Sequence, residues 1–456
     1  MSGRAVVVVG GGVAGLATAY RLLRADPSIE LTLLEAEGRA GGRLTTAEVG
    51  GFELDAGPDS FVARKPWASE LCRELGLQLV EPGARGAFAW TDRGLEPLPE
   101  SALGIPAAAG ELLRWPGLSR AGRVRALGDL VRKPRKDPRD ESLGALLRRR
   151  LGDEATERLV APLLGGLFAG DVDRLDVGST FPELHRWERA FGSLIRGARA
   201  ALDAAGDAGP MFVRPGGGVT ALPEALLASI GRERVRTGVR VLAIGSRGAA
   251  HVVRSDAGEL DAGAVVVATP AFVAAELVAA AAPALRSIPY VSTGVVLLVY
   301  PEGTGSTLPD ATGFVVPSGA APMTAATFLS RKWPDPAFGD RAILRCFVGA
   351  SGTEDVLGAP DEDIVEAVAR HLAAVVPLPE RPEASRVVRW PRSMPQYQVG
   401  HADRVWAVAG SLPPGIFVAG NAYDGVGVAD AVRSANEAAG RVLAHLAGDH
   451  SRVERT

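Results

Sequence analysis

The chain has 456 residues, a formal net charge of −3, and 47% hydrophobic and 23% charged residues. That length allows roughly three domains at about 150 residues each; the composition is globular, and the charge excludes general nucleic-acid binding. Two cysteines (Cys72 and Cys346) and six histidines without ligand spacing exclude a disulfide framework and predict no metal site, which fits a reducing cytoplasm.

The apolar run at residues 5–9 is too short for a secretory signal and ends in glycine. The apolar stretch Ala268–Leu285 is broken by Pro270, Glu276 and Pro283, so no spanning helix is predicted. Residues 6–22, VVVVGGGVAGLATAYRL, instead predict a buried strand, a glycine turn and a helix. Gly10, Gly12 and Gly15 fit G-x-G-x-x-G: a tight turn, close approach of a pyrophosphate, and close helix–strand packing. Val13 and Ala14 open the helix, whose N–H groups would face the phosphates. The next strand, IELTLLE, ends in Glu35, 20 residues after Gly15, followed by Ala36. A carboxylate there accepts ribose hydroxyls and repels a 2′-phosphate, so a dinucleotide site is predicted.

The segment EAEGRAGGRLTT (35–46) adds Arg39, Gly41, Gly42 and Arg43, a second glycine pair with arginines able to neutralise a pyrophosphate. It resembles the R-x-G-G-R motif of the FAD-containing amine oxidase superfamily, which implies FAD rather than NAD. Downstream, DAGPDSF (55–61) carries Asp59 beside Gly57 and Pro58, which the resemblance implies lie against the flavin, and FVARKPW carries Arg64 and Lys65. Residues 99–205 lack strand alternation and read as helices. From Arg114 to Arg150 there are twelve Arg/Lys and four Asp/Glu, a local net charge of +8; a solvated helix face is the commonest reason for such a run. Residues 232–271 read as short strands ending at Ala268, and in an FAD domain Val239 would set its backbone N–H and C=O against the adenine. Residues 283–390 mix strands (TGVVLLVY, GFVVP, AILRCFVG) with an amphipathic helix at 361–376. The last segment, 415–446, reads strand, glycine turn, helix; in this superfamily it closes over the flavin, with Gly420 and Asn421 near the ribityl phosphate and Gly425, Gly427 and Val428 at the ring edge. A helix N-terminus there favours the charge of the reduced ring.

DAGPDSF, RWPRSMPQYQVGH (389–401) and AGNAYDGVGVADAV (419–432) together resemble the flavin-dependent protoporphyrinogen and coproporphyrinogen oxidases of haem synthesis, and the resemblance runs end to end. It implies an α/β fold: a discontinuous Rossmann-type FAD-binding domain (1–76, 212–282, 391–448), a mixed-sheet substrate domain (77–98, 283–390) and an inserted helical lobe (99–211). It implies removal of six hydrogens from a porphyrinogen, with oxygen as acceptor and hydrogen peroxide as product. Asp59 would face the ring nitrogens as a positioning or proton-accepting group; the alternative is a turn-capping Asp-Ser pair. Arg64 and Lys65 would meet propionates, Phe328 would form an apolar wall, and Trp390 would line the flavin. Gly86 stands where plant-type enzymes place an arginine, with Arg85 one residue off. The segment TGVVLLVYPEG (293–303) has Tyr300-Pro301 and no lysine where amine oxidases place one near the flavin, and no cysteine lies in the last hundred residues, which sets the chain apart from amine oxidases and implies non-covalent FAD.

Arg64-Lys65 favours coproporphyrinogen III, which has four carboxylates, over protoporphyrinogen IX with two. A non-enzymatic FAD-fold binding protein, like the GDP-dissociation inhibitors, is the reading from another class, and a phytoene desaturase type is a further one. The expected setting is the cytoplasm, with weak peripheral contact at the inner face of the cell membrane through the basic lobe. The expected partners are the porphyrinogen, molecular oxygen and the next haem-pathway enzyme, to which the product would be handed.

Overall fold

A computed structural model of the chain describes residues 4–135, 140–206, 209–248 and 250–448. The first strand, Ala5–Val9, lies at the centre of a five-stranded sheet. The order is Val235–Thr237, Glu30–Glu35, Ala5–Val9, Ala264–Val267, Ile416–Val418, every pair parallel. A parallel strand is covered on both faces, which is why four consecutive valines are stable here. Val6 and Val8 face the helices Val13–Ala25 and Val428–Leu446. Val7 and Val9 face the helix Ala271–Leu277 and a three-stranded antiparallel sheet spanning 241–262.

A second sheet has seven strands, in the order Ala384–Pro395, Tyr290–Glu302, Arg341–Val348, Met323–Phe328, Gly313–Val315, Phe88–Thr91, Gly94–Pro97. All its pairs are antiparallel except Gly313–Val315 with Phe88–Thr91. Alternation along Tyr290–Glu302 serves two cores. Val296, Leu298 and Tyr300 face the helix Asp361–Ala373, while Leu297 and Val299 face the hairpin Thr46–Val49/Phe52–Asp55 and Trp333. That hairpin turns on Gly50 and Gly51 (φ +59° and +84°), as a two-residue turn requires. It delivers residues 55–60 to the seam between the sheets.

The helical reading of 99–205 needs one correction: Ser101–Ala102 and Ile105–Pro106 pair as a short hairpin, with Leu103 and Gly104 at positive φ. The run was too short for alternation to register. The rest is helical around its own core, in which Leu143, Leu147, Leu164 and Leu194 are buried. The basic stretch is also not simply a solvated face. Arg150 is wholly buried between Asp129 and Glu188, and it donates to the carbonyl oxygens of Asp129 and Gly192 at 2.7 and 2.6 Å. Arg149 bridges Glu141 and Glu188, and Arg125 donates to the carbonyl oxygens of Arg148, Arg149 and Arg150. These cations hold the lobe together. Lys136, Asp137 and Arg139 of the same stretch lie outside the described residues.

Burial alone would raise the pKa of Glu141, but His185 and Arg149 beside it, with the charge of Arg135, bring it down to about 2. A carboxyl depressed from an ordinary value of about 4.3 stabilises the fold above that value and loses its contribution as pH falls towards 2. Acid titration of stability should therefore fall between about pH 4.5 and 2, and Glu141→Gln should flatten that segment while lowering stability at pH 7. Urea midpoints measured across pH check this; an unchanged slope in the variant would reject the role of Glu141.

Candidate active site

The glycine turn is shaped by contacts that exclude side chains. A Cβ on Gly10 (φ +105°) would meet the Ala268 carbonyl oxygen at 2.8 Å, and one on Gly15 would lie 1.9 Å from the Gly10 oxygen. Gly12 differs: nothing lies within 4 Å of where its Cβ would be. Gly12 is also the N-cap of the helix opened by Val13 and Ala14, and no side chain caps that end. Its first N–H groups are therefore open, beside space a diphosphate would fill. A Cβ on Gly42 (φ +57°) would stand 3.0 Å from Gly12 Cα, and Gly41 N–H donates to the Gly11 oxygen at 2.8 Å, so the second glycine pair lies directly on the first. Gly420 (φ +125°) also has open space at its Cβ position, and its N–H donates to Ser434 Oγ at 3.0 Å.

Glu35 stands beside this cradle. Its Oε2 accepts Gly11 N–H at 2.6 Å and its Oε1 accepts Glu37 N–H at 2.8 Å; each oxygen keeps a lone pair for a hydroxyl. Ala36 is half-buried next to it. Val239 needs a correction, because its N–H donates to the Glu35 carbonyl at 2.9 Å, leaving only its C=O for an adenine. Arg39 folds onto its own loop, donating to the Gly42 oxygen at 2.6 Å. Arg43 donates to the Ser393 carbonyl at 2.7 Å, and burial lowers its pKa. Trp390 donates its indole N–H to the Ala56 oxygen at 3.0 Å. Asn421 accepts the Tyr397 hydroxyl at 2.7 Å, and Tyr397 lies against Phe168 of the lobe, whose carbonyl accepts Gln396 Nε2 at 2.8 Å. Gln396 and Tyr397 are buried joints of the fold.

Of the two roles expected of Asp59, positioning and proton acceptance, the structure corrects the second. Asp59 is 4% exposed. It takes Lys332 Nζ at 3.0 and 3.1 Å, Trp333 Nε1 at 3.0 Å and Arg345 Nη2 at 3.2 Å. Burial would raise its pKa, but Arg345 and then Lys332 hold it well below the usual carboxylate range. It is an ionised hub and a poor proton acceptor. Arg345 also donates to the Gly57 carbonyl at 2.6 Å, and Arg214 pairs with Asp55 at 3.0 Å in the same cluster. A Cβ on Gly57 would lie 1.9 Å from the Arg43 oxygen, while Pro58 is exposed at the seam.

Two further expectations change. Phe328 is wholly buried on the sheet face covered by the helix Asp361–Ala373, with its ring on Phe314, so it is core and not a cavity wall. Lys65 is not a free cation: its Nζ holds both oxygens of Asp430 at 2.8 and 2.7 Å. Asp430 sits at the start of the helix Val428–Leu446 and accepts Gly427 N–H at 3.2 Å. Arg64 is exposed and forms no hydrogen bond or ion pair among the described residues. Sequence reasoning missed Lys332, Arg345 and Asp430. Lys332 carried one usable signal, being among only four lysines in the chain.

The sequence profile of the flavin containing amine oxidoreductases matches residues 13–443. The coproporphyrinogen III oxidase of Bacillus subtilis (strain 168) is 33% identical over 462 residues, covering 97% of this chain and 98% of that protein. The chloroplastic protoporphyrinogen oxidase of Oryza sativa subsp. japonica is 30% identical over 488 residues, covering 96% and 88%. A solved chain from Exiguobacterium sp. 255-15 superposes with a TM-score of 0.87 at 32% identity, over 97% of this chain and 99% of that one.

The Gly15 contact leaves no room for one methyl group. Gly15→Ala should push the helix off the turn and abolish flavin retention, whereas Gly12→Ala should fold normally and weaken flavin binding alone. Flavin absorbance per protein after gel filtration, read beside thermal melting, separates the two; equal flavin content in both variants would contradict the assignment of the cradle.

Proposed function

The chain belongs to the flavin containing amine oxidoreductase family, and on that premise we propose that it oxidises coproporphyrinogen III to coproporphyrin III, with oxygen as the acceptor and hydrogen peroxide as the other product. The observation that carries this reading is the near-complete two-way coverage of the Bacillus subtilis relative at 33% identity. The glycine cradle, the uncapped helix and Glu35 fit an FAD diphosphate and ribose. When bound, the flavin supplies the hydride acceptor; the protein holds the substrate's bridging carbon against it and keeps water away.

Asp59 then keeps the 55–60 loop in place, and the pyrrole protons leave towards solvent. Arg64, exposed next to Lys65 and the final helix, is the cation left to meet a substrate carboxylate, with Lys65 reaching it only by sharing its charge with Asp430. We place the flavin there non-covalently. Both cysteines are buried, and burial pushes the Cys72 thiol up to about 12 and Cys346 higher still, so neither offers a ready thiolate. No helix among the described residues is long and apolar enough to cross a membrane. Our reading keeps the protein in the cytoplasm with weak peripheral membrane contact and hand-over of product to the next enzyme.

Anaerobic mixing of the yellow protein with coproporphyrinogen III should bleach the flavin, and air should then bring up porphyrin fluorescence and peroxide. Arg64→Ala should raise KM several-fold with little change in kcat. Faster bleaching by protoporphyrinogen IX would move the substrate to the two-carboxylate compound. Acid precipitation should leave the flavin in the supernatant; flavin in the pellet would reject the non-covalent reading.

A further inference from the structure

Five ionisable side chains meet at the seam: Asp55, Asp59, Lys332 and Arg345, which are buried, and Arg214, which is half-buried. With all five ionised, three cations face two carboxylates, an excess of one positive charge; burial lowers the pKa of Lys332, and the Asp59 carboxylate against it works the other way. Lys332 is 7% and Arg345 3% exposed, so water screens this charge poorly. Nε of Arg345 and Nε of Arg214 are buried without a hydrogen-bond partner. Aromatic faces share the load instead: Arg345 lies 4.8 Å from the Phe347 ring, Arg214 4.5 Å from Trp333, and Lys332 5.2 Å from Phe212. An uncompensated buried charge is costly unless something else completes it.

The cluster touches the main chain at one informative place, the Gly57 carbonyl held by Arg345. Reduction of a flavin by two electrons and one proton leaves one negative charge on its ring, and a fixed positive charge nearby favours that state. We propose that the excess charge of this cluster, carried by Lys332 and Arg345 behind Gly57, stabilises the reduced flavin and so sets how readily the bound flavin takes electrons. This rests on the reading that the flavin lies against Gly57 and Pro58. Lys332 and Arg345 touch neither flavin nor substrate in this scheme; they act through their field and through the loop they hold.

The test uses the flavin-loaded full chain and reads the flavin rather than turnover. Sulfite adds to the flavin ring and leaves the same negative charge on it, so its dissociation constant and the midpoint potential report one quantity. Lys332→Met removes a cation and should weaken sulfite binding and lower the potential. Asp59→Asn removes a carboxylate and should do the opposite. The shift in sulfite affinity should be about tenfold each way, as for a unit charge about 10 Å off at an effective dielectric near 20. The double variant should return close to wild type, which loosened packing would not produce. If Lys332→Met does not fold, Lys332→Arg should keep the wild-type potential while Asp59→Asn alone still raises it. Shifts of both single variants in one direction, or no shift with flavin bound, would overturn the proposal. A wild-type protein that takes up no flavin would overturn the flavin reading itself.

Discussion

Arg345 spans the seam between the two sheets, and the geometry of the site depends on where it reaches. It rises from the strand Arg341–Val348, donates to the Gly57 carbonyl and pairs with Asp59. Trp390, from the edge strand of the same sheet, holds the Ala56 carbonyl, and Arg214 holds Asp55 from the far side. The loop between the hairpin and Phe61 is thus fixed from three directions by polar contacts that are at least partly buried. A hydrophobic seam of equal area would tolerate sliding. Buried ions and hydrogen bonds do not, because a small displacement leaves a charge or carbonyl unpaired at a cost of several kcal/mol, roughly 3–5 for a broken buried pair.

The second constraint is the path of the chain. A parallel sheet needs long crossovers, and here they are whole segments: the strands of one sheet come from residues 5–35, 235–267 and 416–418. Each return ends at the same edge, because all five strands run in the same direction. Gly10 follows the first strand, Glu35 ends the second, Val239 follows the third, Ala268 the fourth and Gly420 the fifth. Ligands of open α/β sheets bind at this carboxyl edge. The site is assembled from distant segments because the topology gives them one place to meet.

That topology also decided what could be read from the sequence. The strand–turn–helix, the second glycine pair and the final glycine turn were legible because each is a local pattern with a steric cause, such as the 1.9 Å approach forbidden to a side chain on Gly15. Asp59, Lys65 and Phe328 were each recognised as notable and given the wrong surroundings. Their partners are far away in sequence: Lys332 and Arg345 for Asp59, Asp430 for Lys65, and the helix at 361–373 for Phe328. A cation in a motif looks free until the fold supplies its counter-ion. The basic run at 114–150 misled in the same way, since Arg149 and Arg150 answer to Glu141, Asp129 and Glu188.

The two long helices that start at the carboxyl edge show how the remaining charge is divided. The N-terminus at Gly12 has no side-chain cap and no acidic residue in its first turn, so its positive pole is left whole. The N-terminus at Gly427 carries Asp430 in its first turn, and that carboxylate is in turn matched by Lys65. A bare pole suits a diphosphate, whose charge is permanent. A pole already balanced by a carboxylate and a lysine suits a group whose charge changes during the reaction, because a full positive pole there would hold the charged state too tightly to let it go. The excess cation behind Gly57 then supplies a bias that the balanced helix does not, from a direction where solvent cannot screen it.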